Sequence, residues 1–339
     1  MKRSALKMRL AAVALAVAGV AVVPATAQPN LAQKVGPTVA EPSSAASSVY
    51  RFEHWELESA DGARRYRVQL AVPRRAAPAA GFPVLYMLDG NAAFAALTAE
   101  QLLALEQGGT PPVIVAIGYA TDLRFDTTAR AYDYTPPVPG PGPTVDSGAH
   151  DRPAGGADIF LALIEQQIKP AVRARVAVDP AQQSLWGHSY GGLFVLHTLL
   201  RHPAAFQRYI AADPSFWWHD GFILQEERQA AALAPGACLL VMSGASAAAA
   251  PASAPAPVRP GIDPAAVQRM RAARSAVPPE TARDFVARQA QRDSLRASWR
   301  MFEGASHGAM LGLSVDPALQ IASGATGSPC TSPRETAKP

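Results

Sequence analysis

Two cysteines, Cys238 and Cys330, are all that this 339-residue chain contains, which leaves room for one disulfide at most. The pair fits either a bridge tying a tail to the last part of the fold or two separate thiols, Cys238 reading also as a buried strand residue. No cysteine stands just after the N-terminal apolar run, so nothing there asks for a lipid anchor. The apolar run Leu10–Val23 is too short for a comfortable bilayer span, and no later stretch is long and apolar enough for one. An excess of basic charge is also missing where it would matter. The chain carries 31 basic and 27 acidic side chains, but four of the basic ones, Lys2, Arg3, Lys7 and Arg9, precede Gln28. The chain from Gln28 onward has 27 of each, and a balanced chain offers no footprint for nucleic acid or an anionic membrane. Internal repeats are absent as well.

The first residues read as an address. A basic start, the apolar run Leu10–Val23 and the small-residue site Ala25-Thr26-Ala27 describe a secretory signal peptide over residues 1–27, with a periplasmic or secreted product and no stable span after processing. Residues 28–48 are polar and aperiodic, a flexible lead-in. Residues 49–320 form the expected catalytic domain, and 321–339 a disordered tail.

Within that domain, Tyr50, Phe52 and Trp55, then Tyr66, Val68, Leu70 and Val72, alternate as antiparallel strands around an Asp61-Gly62 turn. Phe82–Leu88 and Pro112–Ile117 are short apolar runs that fit buried parallel strands. Further strands are expected at 183–186, 209–212, 239–242 and 298–302, with helices over 97–105, 159–168 and after residue 190. Residues 136–156 are rich in Pro and Gly, as a lid or substrate-binding insertion would be, and 247–260 is a low-complexity Ala/Pro stretch. Strands alternating with helices give an α/β class: a mostly parallel twisted sheet with helices on both faces.

The most informative segment is Gly187-His188-Ser189-Tyr190-Gly191, between the apolar strand Ser184-Leu185-Trp186 and a helical run with Leu193, Leu196, Leu199 and Leu200 on one face. It matches G-x-S-x-G, the elbow that exposes a nucleophilic serine in α/β-hydrolases. The sharp turn calls for small residues two positions either side of the serine. A serine hydroxyl needs a base to take its proton. His307, in a loop after the last strand, is the first choice and His219 the alternative, in the chain order serine, acid, histidine. The acid is harder to find, because Ser243-Gly244-Ala245-Ser246 after strand 239–242 offers no carboxylate. Asp213, one strand earlier, is the substitute, and a Ser–His dyad and a triad both stay open. Two backbone N–H donors for an oxyanion are expected from Tyr190 and from Asn91 in the Asp89-Gly90-Asn91 turn.

Taken with that elbow, Tyr86-Met87-Leu88-Asp89-Gly90-Asn91, Pro112–Tyr119 and Arg130-Ala131-Tyr132-Asp133-Tyr134-Thr135-Pro136 resemble the siderophore esterases, an esterase-D-like branch of the α/β-hydrolases. The resemblance runs from about residue 50 to 315. It implies an exported serine esterase that cleaves trilactone esters of a catecholate siderophore, ferric or iron-free, with no cofactor and no metal. A Ser–His dyad is within the family's repertoire. In this reading Arg130 meets an anionic substrate, and Tyr134 and Trp217 offer flat contact surfaces. A general carboxylesterase and a catalytically inactive ligand-binding relative are the competing readings. The family often has Ser where this chain has Asp213, and the two Pro-rich stretches are its own.

Overall fold

The computed structural model describes residues 32–41, 44–148, 152–230, 236–245, 264–292, 294–325 and 328–330. The expected signal peptide, the 247–260 stretch and the last nine residues lie outside these.

Among the described residues, eight strands form one sheet in the order β1-β2-β4-β3-β5-β6-β7-β8. They are β1 (Tyr50–Glu58), β2 (Arg65–Pro73), β3 (Phe82–Met87), β4 (Val113–Tyr119), β5 (Val178–His188), β6 (Arg208–Ala212), β7 (Ala237–Ala245) and β8 (Leu295–Glu303). The first two strands pair antiparallel, β2 pairs antiparallel with β4, and all later neighbours are parallel. The helices are α1 (Gly90–Ala95), α2 (Ala99–Gln107), α3 (Ala129–Asp133), α4 (Ala157–Leu163), α5 (Lys169–Arg173), α6 (Tyr190–Arg201), α7 (Phe222–Arg228), α8 (Pro264–Ala276), α9 (Thr281–Ala290), α10 (Met310–Leu313) and α11 (Val315–Ala322). One turn of π-helix, Ile164–Ile168, joins α4 to α5. Among the described residues no helix is long and apolar enough to cross a membrane.

Period-two side-chain alternation explains why the central strands are apolar throughout. Val113, Val115 and Ile117 of β4 face the same layer as Phe160 of α4 and Leu196 of α6, while Ile114 and Ala116 face Phe94 of α1 and Leu319 of α11. Both faces are covered, so both sets of side chains must be apolar. Helix α2 starts with a reciprocal cap: the Thr98 hydroxyl accepts from Gln101 N–H at 3.2 Å, and the Gln101 side chain accepts from Thr98 N–H at 2.9 Å.

Two expectations at the chain ends are corrected. Part of the lead-in is docked, with Val39 and Ala46 buried in the layer beneath α1 and α2. The start of the expected tail is also packed: Ile321 and Ala322 are buried in α11, and Cys330 is joined to Cys238 with a Cα–Cα separation of 5.6 Å. Apolar side chains at both ends fill gaps along the second face of the sheet, which a polar composition average hides.

The bridge closes a 92-residue span. Cys330→Ser should therefore lower stability by about 2–4 kcal/mol, chiefly by freeing the unfolded chain. Thermal melts of oxidised wild type and variant check this; equal melting temperatures would mean that the bridge contributes nothing.

Candidate active site

Strands β3, β5 and β6 are neighbours at the centre of the sheet, and each runs into a non-glycine residue with positive φ: Asp89 (51°), Ser189 (62°) and Asp213 (44°). Each such residue costs about 1–3 kcal/mol and persists only where surrounding structure enforces it. Here backbone hydrogen bonds do so. Ser189 N–H donates to Ala212 C=O (3.0 Å), Asp213 N–H to Met242 C=O (2.7 Å), and Leu193 N–H to Ser189 C=O (2.9 Å). A Cβ on Gly187 would stand 2.3 Å from the Gly191 carbonyl oxygen, so glycine is obligatory there. At Gly191 it would meet nothing nearer than 3.5 Å. The expected need for small residues on both sides thus holds only for the upstream one.

These ends bring Ser189, His307 and Asp213 together. His307 Nε2 lies 3.0 Å from Ser189 Oγ, and its Nδ1 lies 2.5 Å from Asp213 Oδ2. Asp213 reaches the imidazole from the end of β6 because its left-handed backbone turns the chain across the sheet's edge there. Nδ1 donates to the carboxylate, which leaves Nε2 as the acceptor facing the serine. The loop holding His307 is tied down at Gly304, whose N–H donates to Ala245 C=O at 2.7 Å. Ser215, not singled out by the sequence, adds its hydroxyl 3.4 Å from Ser189 Oγ.

A second unanticipated residue is His188, beside the nucleophile. Its Nε2–H donates to the backbone carbonyl of His307 at 2.8 Å, and the two rings lie 4.7 Å apart. Burial, and then repulsion from His307, push the His188 pKa well below 6.5, so this imidazole is a neutral strut. His219, the alternative base, points elsewhere: its Nε2–H donates to Val145 C=O at 2.7 Å.

Asn91 and Tyr190 occupy the first turns of α1 and α6. Among the described hydrogen bonds none uses the backbone N–H of either, as expected for the orphan donors of helix N-termini. The β3–α1 turn lies against the elbow, with Leu88 Cβ at 3.5 Å from where a Gly191 Cβ would stand. The Asn91 side chain fixes this turn: its amide nitrogen lies 2.9–3.1 Å from the carbonyls of Tyr119, Thr121 and Leu123, which share its two N–H donors.

The residues expected to contact substrate are rearranged. Arg130 forms a bidentate pair with Asp89, both bonds 2.8 Å, and does not pair with Asp133. Burial opposes its charge, and Asp89 outweighs burial. Tyr134 is wholly buried among Tyr119, Phe160 and Phe194, and its hydroxyl accepts from Asp89 N–H at 2.9 Å. Its ring is core, offering no surface to a ligand. Both side chains hold the β3–α1 turn. Trp217 is 7% exposed, packed 5.8 Å from the Tyr190 ring. Above it stands Arg274 of α8, its guanidinium carbon 5.5 Å from the Trp217 ring centre and its buried Nε without a partner. Burial lowers the Arg274 pKa, with Asp213 acting in the opposite direction. Sequence reading missed Arg274, which lies in a helix with no motif.

The Pro/Gly-rich 136–156 segment is anchored through Asp146, a fully buried carboxylate. Asp146 Oδ1 accepts from Tyr190 O–H (2.7 Å) and Trp218 Nε1–H (3.2 Å), and Arg152 pairs with Oδ2. The residue after the nucleophile is thereby tied to this segment.

The esterase family model matches residues 59–246, more than half of the chain. Over 189 residues the chain is 45% identical to the apo-salmochelin esterase of Escherichia coli O6:H1, covering 56% of this chain and 58% of that protein. It is 38% identical over 181 residues to ferri-bacillibactin esterase BesA of Bacillus subtilis, covering 50% and 60%. These alignments span about three fifths of each relative. The solved structure of the enterobactin and salmochelin hydrolase IroE is 33% identical, with a TM-score of 0.62 over 85% of this chain and all of that one. Siderophore hydrolase EstA from Aspergillus nidulans gives 28% identity and a TM-score of 0.61, over 80% of this chain and 94% of that one. The chain belongs to the siderophore esterase family, on an α/β-hydrolase fold.

Proposed function

We propose that this chain is an exported serine esterase that hydrolyses the ester bonds of a siderophore, a catecholate trilactone being the substrate class expected. The observation that carries the reading is the Asp213–His307–Ser189 hydrogen-bonded chain at the ends of adjacent strands. Ser189 Oγ attacks the ester carbonyl while His307 Nε2 takes its proton, and Asp213 stabilises the imidazolium. The N–H groups of Tyr190 and Asn91 receive the oxyanion. His307 then returns the proton to the leaving alcohol, and water releases the acyl group by the same steps. His188, through the His307 carbonyl, holds the base in position. The apolar N-terminal run with its small-residue cleavage site supports export, and a disulfide suits an oxidising compartment.

Ser189→Ala and His307→Ala should each remove nearly all hydrolysis, and the double variant should lose little more, because the two act as one proton-transfer unit. Asp213→Asn should cost about 10⁴ in kcat if the carboxylate orients the base. A loss below tenfold would replace the triad with a dyad. Steady-state kinetics on a catecholate trilactone and a short aryl ester measure all four. Absence of serine labelling by a fluorophosphonate would favour an inactive binding relative, and a trilactone that is never cleaved would favour a general carboxylesterase.

The same substrate pair tests recognition. Arg274 is the cation beside Trp217 whose Nε is not engaged by a carboxylate, so it is the one assigned to the substrate's anionic aromatic groups. Arg274→Ala should lower kcat/KM for the trilactone at least tenfold more than for the aryl ester, a difference of about 1.4 kcal/mol. Arg130→Ala should lower both alike, because it frees Asp89 in the turn carrying Asn91. Equal losses for both substrates in Arg274→Ala would make that arginine structural.

A further inference from the structure

A second cluster of chemistry-bearing side chains lies away from the nucleophile, and the esterase reaction has no use for it. His197 is on α6, eight residues past Ser189 and about 12 Å along the helix axis. It is 1% exposed within an otherwise apolar helix interior. Its Nδ1 lies 2.8 Å from Glu226 Oε2 of α7, and its Nε2 lies 3.1 Å from Asp158 Oδ1 in the first turn of α4. His202, the residue capping α6, brings its Nε2 to 2.7 Å from the same Asp158 oxygen. The two imidazole nitrogens and the carboxylate oxygen all lie within 4.8 Å of one another.

We infer that Asp158, His197 and His202 form a binding site for a late first-row divalent cation, zinc being the probe, with Glu226 as the outer partner of His197. The donor set is two imidazoles and one carboxylate, which suits zinc and not magnesium or calcium, whose sites are built from oxygen. Donors on a tetrahedral zinc with bonds of about 2.0–2.1 Å stand about 3.3 Å apart. The observed separations of 3.1 and 2.7 Å from the Asp158 oxygen would open by about 0.2 and 0.6 Å, and the two imidazole nitrogens, within 4.8 Å of each other, would settle at the same spacing. Glu226 supplies the feature that distinguishes a built site from two histidines that happen to be close. By accepting from Nδ1–H it directs Nε2 of His197 at the point the other two donors surround, as carboxylates behind zinc-bound histidines do. Burial lowers the His197 pKa, but Asp158 and Glu226 raise it to about 9, so binding the ion displaces the Nε2 proton now given to Asp158. Asp158 and His202 are about half exposed at their side chains, so an ion has a route in and a water can complete the coordination. The site joins the first turn of α4 to the end of the nucleophile helix, and its role is to clamp these elements, not to take part in ester cleavage.

The experiment uses the full mature chain, stripped of metal on a chelating resin. Isothermal titration with zinc chloride should show one site per chain, and saturating zinc should raise the melting temperature by several degrees. His202→Ala should abolish the thermal shift and weaken zinc binding at least 100-fold, with aryl-ester turnover and the metal-free melting temperature unchanged. Glu226→Gln, which keeps all three donors, should weaken binding about 10- to 100-fold. No zinc binding by the wild type, or binding and thermal shift undiminished in His202→Ala, would overturn the proposal. So would zinc that inhibits hydrolysis equally in both proteins, because the ion would then sit at His188, Asp213 and His307.

Discussion

The site depends on three backbone reversals placed side by side. Asp89, Ser189 and Asp213 stand at the ends of adjacent parallel strands, each in a conformation that an L-residue adopts at a cost. Parallel pairing makes this possible, because it aligns the carboxyl ends of β3, β5 and β6 on one edge of the sheet. The Ser189 N–H to Ala212 carbonyl bond then links two of the reversals directly. The strain is borne by a sheet buried on both faces, and the polar groups at its edge inherit fixed positions. A serine, a carboxylate and the turn carrying Asn91 meet without any single flexible loop having to deliver them.

Around that edge, buried charge is spent on geometry. Arg130 and Asp89 form a bidentate pair beneath the β3–α1 turn, and Tyr134 closes the same turn from the core. Asp146 does the equivalent for the other oxyanion candidate, holding the hydroxyl of Tyr190. Burial, and then Asp146, keep that phenol neutral, its pKa raised well above 10, so it serves as a donor. Each of these pairs is a positioning device: removing one partner leaves the other buried and unpaired, which costs more than the pair itself is worth.

Most of the fold was legible because it is written in periodicity. Alternation marked β1 and β2, apolar runs marked the buried parallel strands, and G-x-S-x-G marked the strand-to-helix turn. Short helices escaped this reading. Helix α1, over Gly90–Ala95, is too brief to show a repeat and reads as part of a turn. The site was legible where chemistry is local to a motif, as at Ser189, and where chain order narrows the choice, as at His307. It was not legible where it depends on which of several partners a charged side chain selects. Arg130 has Asp133 three residues away in sequence, yet pairs with Asp89, 41 residues away. Asp133 is meanwhile taken by Arg64, Tyr66 and Tyr119. Sequence proximity ranks such partners wrongly whenever the sheet brings distant strands together.

The 136–156 segment shows the same limit from another side. Its composition, dense in Pro and Gly, is that of a loop, and a loop beside an elbow invites the reading of a moving lid. A lid, however, must open at little cost, whereas Asp146 is fully buried and accepts from Tyr190, Trp218 and Arg152 at once. Lifting it would strand a carboxylate and a phenol in the core together. His219 adds a further tie, its ring N–H bonding to the Val145 carbonyl and its backbone N–H to Ser147. Among the described residues, Val145, Asp146 and Ser147 are thus held in place by these ties. The His307 side chain, by contrast, retains about a third of its surface in solvent. Of the three residues of the hydrogen-bonded chain, His307 is the one most open to solvent, while Ser189 is buried.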